Sequence, residues 1–270
     1  MFQKPKAVFF DAGGTLFRPF PSVGEIYAKA ASIYGTTHDP KRLEAEFHKA
    51  WKARGGLSSL GTQTSEEKER LWWHSLVREV FEPHGGVPSF DEFFTVLHRS
   101  FEEKELWEIY PEVPDVLEEL REKRLILGIV SNWDLRLPRL VKNLGLNDYF
   151  DFLVTSSMCG ATKPSEKIFR EALKQAGAKP NEAVHVGDTY EEDFVGAERV
   201  GIRAFHLDRN GGCGCVRRGD AVFQGAFLVP QAPFYGAHWS WSCRPGIAAE
   251  NAGAPGFFRN SQVAAGRERN

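Results

Sequence analysis

The sequence predicts an α/β fold: a doubly wound parallel sheet with an α-helical domain inserted after its first strand. Two observations predict it. Short apolar runs ending in turn or cap residues recur at 6–12, 125–133, 152–157, 183–188 and, more weakly, 203–208, with amphipathic stretches between the last four. Between the first run and the second, residues from about 18 to 105 show helical spacing alone. Strand, helix, strand at such intervals means right-handed crossovers and parallel pairing.

The elements follow in order. KAVFFDA stops at Gly13-Gly14, as a buried strand that runs into a tight turn should. GEIYAKAASIYG, DPKRLEAEFHKAWKARGG, TSEEKERLWWHSLVREVFEPHG and SFDEFFTVLHRSFEEKE read as helices separated by Gly breakers. Thr64 and Glu67 are spaced as a capping box, and Trp72, Trp73, Phe81, Phe93 and Phe94 are expected to pack as the core of this insert. LRLPRLVKNLG at 135–145 is amphipathic, with Pro138 tolerable only in a first turn. Residues 165–177 form a helix that Ser165 caps and Gly177 ends.

Composition excludes several classes of function. The chain has 270 residues, 34 Lys+Arg against 36 Asp+Glu, and a mean hydropathy of −0.37. A net charge of −2 gives no electrostatic reason for a nucleic-acid or anionic-membrane partner. No apolar run nears the roughly 18 residues of a membrane span, and MFQKPKAVFFDAGGTLF lacks a separate signal-peptide core. Four cysteines are too few for a disulfide scaffold, so an unexported, soluble, cytoplasmic protein is expected.

The charge is uneven. Residues 1–209 hold 28 Lys+Arg and 33 Asp+Glu, a net of −5, whereas residues 210–270 hold 6 Arg, no Lys and 3 acids, a net of +3. The tail is rich in Gly and Pro, carries Trp239, Trp241, Phe257 and Phe258, and keeps neither periodicity. It is expected to be irregular and poorly ordered, and the abrupt change of composition fits translation in a shifted frame. Its Cys213 and Cys215 have no second ligand pair at zinc spacing, Cys243 being alone.

The active crevice of an open α/β sheet lies beyond the carboxyl ends of its strands. Those ends carry Asp11 with Gly13, Gly14 and Thr15; then Ser131 and Asn132; then Thr162-Lys163-Pro164; then Gly187-Asp188, followed by Glu191, Glu192 and Asp193. Singly, each has an ordinary structural reading as a turn, a cap or an acidic helix start. Together they would bring carboxylates, a lysine, a hydroxyl and an amide to one crevice. His185, inside an apolar strand, reads as a satisfied core histidine. Cys159 reads as structural, and Arg18, Arg54 and Trp133 are candidates to face the cleft beneath the insert.

The segments FFDAGGTL, IVSNWD, TKPSEKIF and HVGDTYEEDFVGA resemble, in order and spacing, the four motifs of the haloacid dehalogenase-like hydrolase superfamily. The insert resembles its type 1 helical cap, and SNWDLRL with the first-motif variant resembles the branch of the domain-containing 3 hydrolases. The resemblance implies a Rossmann-like core of residues 1–17 and 106–209, a cap of residues 18–105, and a Mg²⁺-dependent hydrolase of small organic phosphate monoesters. It implies Asp11 as a nucleophile that forms an aspartyl intermediate, with Lys163 compensating charge. Ser131, Asn132, Gly14 and Thr15 would bind substrate. Asp11, Asp188 and the backbone carbonyl of Gly13 would hold Mg²⁺, and Asp193 would orient Lys163 or a metal-bound water from behind. Substrate choice would reside in the cap, and the oligomeric state is left open.

Gly13 departs from the pattern. Phosphatases of the superfamily carry there a second Asp, the general acid and base, whose loss costs about a hundred- to ten-thousandfold in rate. Another group could supply the proton, the leaving group could need none, or efficient catalysis could be lost. The second case includes 2-haloacid dehalogenase chemistry, although those enzymes have an aromatic residue at that position; the third is a binding protein on the same scaffold. Replacing Gly13 by Asp is expected to raise activity on alkyl phosphates.

Overall fold

The structure, a computed structural model, describes residues 4–209 and 238–240. The first strand, β1 (Ala7–Phe10), is buried along its whole length and leads into β2 (Phe17–Pro19). The helical block follows: α1 (Val23–Ile33), α2 (Pro40–Arg54), α3 (Glu66–Phe81) and α4 (Phe90–Ser100). Next come β3 (Trp107–Ile109), α5 (Val113–Glu122), β4 (Ile126–Ser131), α6 (Arg136–Asn143), β5 (Phe152–Thr155), α7 (Ser156–Cys159) and α8 (Glu166–Ala176). The described chain ends with β6 (Ala183–Gly187), a π-helical turn at Tyr190–Val195, α9 (Gly196–Arg199), β7 (Arg203–Asp208) and β8 (His238–Ser240).

The main sheet runs β5-β4-β1-β6-β7-β8, parallel except for β8. β1 is central, Ala7 pairing with Ile126 of β4 on one side and Ala183 of β6 on the other. Strand alternation then sorts the core. Val8 and Phe10 face α5 and α6, packing with Leu117, Leu137 and Leu140, whereas Ala7 and Phe9 face α8 and α9, packing with Ile168 and Phe169. All five apolar runs of the sequence are strands of this sheet, which fits the α/β class.

The helical block has its own core, including Tyr27, Leu43, Leu76, Val80, Phe81, Phe93 and Leu97. The chain enters and leaves it through β2 and β3, an antiparallel pair with Phe17 opposite Ile109. These strands of three residues have no counterpart in the sequence reading, because so short a run has no measurable period; α5 has none either, although its buried Val113, Leu117 and Leu120 fall at helical spacing.

Three local readings change. Ser65, not Thr64, caps α3 and accepts from the Lys68 amide, while the Thr64 hydroxyl turns inward and donates to Glu69 Oε1 at 3.0 Å. Trp72 and Trp73 are only partly buried, and Trp73 lines a cavity instead of filling the core. In the tail, His238–Ser240 form an edge strand on β7, with Ser240 opposite His206, so this stretch is not irregular; the other expectations for residues 210–270 lie outside the described residues. Pro138 does fall in the first turn of α6, and Ser165 and Gly177 bound α8.

Candidate active site

β1 and its two neighbours deliver the site. The chain builds β4 and β5 on one side of β1 and then crosses to build β6 and β7 on the other, so a crevice opens at the carboxyl end of β1. Asp11 follows β1, Ser131 ends β4 and Asp188 follows β6. Together with Gly13, Gly14, Asn132 and Lys163 they line the floor of a cavity of about 650 Å³ that lies beneath the helical block.

Lys163 is the electrostatic centre. Its side chain is buried, and Nζ donates to Asp11 Oδ1 at 2.7 Å and to Asp193 Oδ1 at 2.6 Å. Burial opposes its charge, but Asp11, Asp193 and Glu192 outweigh that cost and hold its pKa above the usual value. Burial likewise opposes ionisation of Asp193, yet Lys163 and His185 keep it below the usual range, and the Thr189 amide donates to its Oδ2 at 3.0 Å. A Cβ on Gly187 would strike the Asp193 carboxyl, so the strand end must be glycine for that carboxylate to sit against it.

Asp188 differs from its neighbours. Burial, then the charges of Asp11 and Asp193, raise its pKa. The Thr15 hydroxyl donates to its Oδ1 at 3.2 Å, so Thr15 supports Asp188 and is absent from the cavity wall. Gly14, at φ 78°, lets the loop pass close to the Asp188 carboxyl, where a Cβ would collide. Asn132 spends its amide on the loop: Oδ1 accepts from the Lys163 amide at 2.6 Å, and Nδ2 donates to Lys163 O and to Glu192 Oε2.

Further groups stand beside the site, and of these Arg209 lies outside every motif segment. Glu192 lines the cavity, and burial pushes its pKa up to about 7. Arg209 clamps the first-strand loop, donating to the carbonyls of Gly14 at 3.0 Å and Thr15 at 2.6 Å while its guanidinium lies over Tyr110. Trp133 faces the cavity, whereas Arg18 pairs with Glu108 and Arg54 with Glu79, away from it. Arg136 joins the two layers, gripping Asp134 through Nε and Nη2 and donating from Nη1 to the carbonyl of His98 in α4. His185 is buried with Nε2 on Asp193 at 2.9 Å and its ring edge-on to Phe169; its Nδ1 has no partner among the described residues.

The fold and the site together define an α/β protein whose mainly parallel sheet gathers carboxylates and a buried lysine in the crevice beyond its strand ends. The family model described as haloacid dehalogenase-like hydrolase matches residues 5–201, and the chain belongs to that family. Within it, the chain falls in the domain-containing 3 branch. Haloacid dehalogenase-like hydrolase domain-containing protein 3 of Danio rerio is 32% identical over 76% of this chain and 86% of its own length. The protein of the same description from Mus musculus is 34% identical over 73% and 79%. Among solved structures, the HAD phosphatase of Thermococcus onnurineus is 28% identical, with a TM-score of 0.54 over 76% of this chain and 87% of that one. The L-2-haloacid dehalogenase of Xanthobacter autotrophicus shares the fold at 23% identity, with a TM-score of 0.58 over 74% and 76%.

Proposed function

We propose that this chain hydrolyses small organic phosphate monoesters with Asp11 as nucleophile, assisted by Mg²⁺. The observation that carries the reading is the buried Lys163 ammonium, bound to Asp11 and to Asp193 at the cavity floor. Lys163 takes one oxygen of Asp11 and orients the carboxylate, leaving Oδ2 for the bond to phosphorus. The same ammonium faces the negative charge that a phosphoryl group brings to Asp11. Ser131 lines the cavity, and its hydroxyl would donate to a phosphoryl oxygen. Asn132 fixes the Lys163 loop, Asp193 fixes Nζ, and Thr15 and Gly14 fix Asp188.

The residues present fit a divalent cation. Asp11, Asp188 and Asp193 offer carboxylate oxygens within 4.8 Å of one another, and Lys163 pairs with Asp11 and Asp193 but not with Asp188. Hard oxygen ligands of this kind suit Mg²⁺. Asp11, Asp188 and the Gly13 carbonyl would hold it, and it would neutralise phosphoryl charge. Residues 18–105 would act as the cap over a core of residues 1–17 and 106–209, excluding water from the crevice. Activity on 4-nitrophenyl phosphate that requires Mg²⁺ and vanishes in Asp11→Asn is the expected result; equal rates in both proteins would sink the reading.

One observation favours a second reading. The Trp133 indole packs over Gly13, so an aromatic ring stands near the place where 2-haloacid dehalogenases carry one, and halide leaves without a proton. Halide release from 2-chloropropionate in EDTA would decide for it. Asp188 argues against it, since a metal-free reaction has no use for a second buried carboxylate beside Asp11.

A further inference from the structure

Two observations, independent of each other, bear on what leaves the phosphorus. The first is residue 13. With glycine there, no side chain at that position can protonate a departing oxygen; of the other titratable groups that line the cavity outside the Asp11–Lys163–Asp188 cluster, Glu192 accepts from the Asn132 amide beside the Lys163 loop, and His48 and His98 face Glu44 and Asp134. An alkoxide, whose alcohol is about as weak an acid as water, leaves poorly without such a proton, whereas a phenol with a pKa of about 10 leaves as phenolate. The second is the cavity wall. Trp107 and Trp133 line it from the core side, their centroids 5.3 Å apart, and Phe47, Trp51, Trp73 and Phe94 line it from the helical block, with Trp51 and Trp73 5.5 Å apart. A space of about 650 Å³ far exceeds what a phosphoryl group needs, and its walls match the faces and edges of another ring system.

We propose that the leaving group of this site is a flat, largely apolar aromatic alcohol, so that the substrate is an aryl phosphate with its ring between the core and cap tryptophans. The inference rests on the phosphate-ester reading above and narrows it. In the first step Asp11 Oδ2 bonds to phosphorus, the bond from phosphorus to the aryl oxygen breaks, and its electron pair leaves on the phenolate, which takes a proton from solvent. In the second step water oxygen bonds to phosphorus and the Asp11–phosphorus bond breaks. Its pair returns to the carboxylate, and the water proton passes to the phosphate and solvent. No oxidant, reductant or further co-reactant enters. With no acid or base at residue 13, the aromatic leaving group speeds only the first step, so the second limits turnover.

Phenyl and 2-naphthyl phosphate separate ring size from leaving-group acidity, because their alcohols have similar pKa values. Binding of both to the inert Asp11→Asn protein, measured by calorimetry, decides the inference: naphthyl phosphate is expected to bind about tenfold more tightly, from the apolar area of its second ring. Equal affinities overturn it. Turnover by the unaltered protein decides the underlying reading separately, since a chain that binds the naphthyl ester and hydrolyses neither has the predicted pocket without the proposed reaction. Where turnover occurs, mixing naphthyl phosphate with enzyme should release a rapid burst of naphthol equal to the enzyme concentration, and cyclohexyl phosphate should react at least about a hundredfold more slowly than phenyl phosphate. Cyclohexyl phosphate reacting as fast as phenyl phosphate overturns the inference. Trp51→Ala and Trp73→Ala should each narrow the naphthyl preference; should either variant fail to fold, the ester series on the unaltered protein decides the same question.

Discussion

A Cβ placed on Gly13 falls 3.1 Å from Cζ3 of Trp133, so the indole occupies space that a side chain at residue 13 needs. Trp133 is held there by edge-on contact with Phe17 and a tilted contact with Trp107, so it cannot yield freely. The sequence alone leads one to expect that Gly13→Asp restores alkyl-phosphate turnover; the packing leads to a different result. Gly13→Asp alone should destabilise by about 1–3 kcal/mol through overpacking and gain no alkyl-phosphate activity. Gly13→Asp with Trp133→Leu should recover stability and raise kcat/KM on cyclohexyl phosphate by about tenfold or more. Urea melts and a rate assay check both, and a gain from the single variant would show that the indole is no obstacle.

Lys163 should matter to folding as much as to rate. Its ammonium compensates Asp11 and Asp193, and all three side chains are buried. Lys163→Met keeps the length of the side chain but strands two carboxylates, which should cost about 3–5 kcal/mol. Adding Asp193→Asn removes one stranded charge and should return part of that loss while activity stays absent. Urea denaturation of the two variants tests this; a second substitution that only adds to the first would show that the charge is not the source of the loss.

The strands and the ends that carry Asp11, Ser131 and Asp188 are legible because buried parallel strands write themselves as short apolar runs, and the residues just past the end of such a run must lie at the crevice, whereas Lys163 stands beyond α7 and is legible only through its motif segment. The features that stayed hidden have a common cause. Trp73 and Phe81 lie on the same helix at helical spacing, and no period distinguishes a ring turned to a cavity from one turned to the core. Thr15 stands in the first motif, yet its hydroxyl serves Asp188, which is 173 residues away. Arg209 clamps Gly14 and Thr15 across a similar gap. Trp133 over Gly13 is the most consequential of these, since the sequence shows the missing acid but not the indole that fills its place.

Asp188 should report metal directly. Burial and the charges of Asp11 and Asp193 disfavour its ionisation and push its pKa up to about 8, and a divalent cation held by Asp11 and Asp188 would favour the carboxylate. Addition of Mg²⁺ should therefore raise Tm by an amount that grows with concentration. Asp188→Asn should be at least as stable as the unaltered protein without metal and should show no Mg²⁺-dependent rise. Scanning calorimetry with and without EDTA reads both, and a variant that still responds to Mg²⁺ would place the cation elsewhere.

Glu69 gives a pH dependence with a defined sign. It is fully buried in α3, where Oε1 accepts from Thr64 and, at 2.7 Å, from Ser156 at the start of α7, joining the helical block to the core. Burial pushes its pKa from 4.5 up to about 7. Below pH 4.5 the group is protonated folded or unfolded and costs nothing. Between 4.5 and about 7 the unfolded chain gives up the proton and the folded chain keeps it, so rising pH favours unfolding, by roughly 3 kcal/mol across the interval, and above it the loss is complete. Glu69→Gln keeps a carbonyl for the two hydroxyls and removes the ionisation. The variant should match the unaltered protein near pH 4.5 and exceed it by about 1–3 kcal/mol at pH 8. Subtracting the two stability curves cancels the opposite contributions of Asp134 and Asp193, whose pKa values lie below the usual range. A difference that does not grow between pH 4.5 and 7 would mean that Glu69 ionises in the folded protein as readily as in the unfolded one, and that the joint between helical block and core carries a charge.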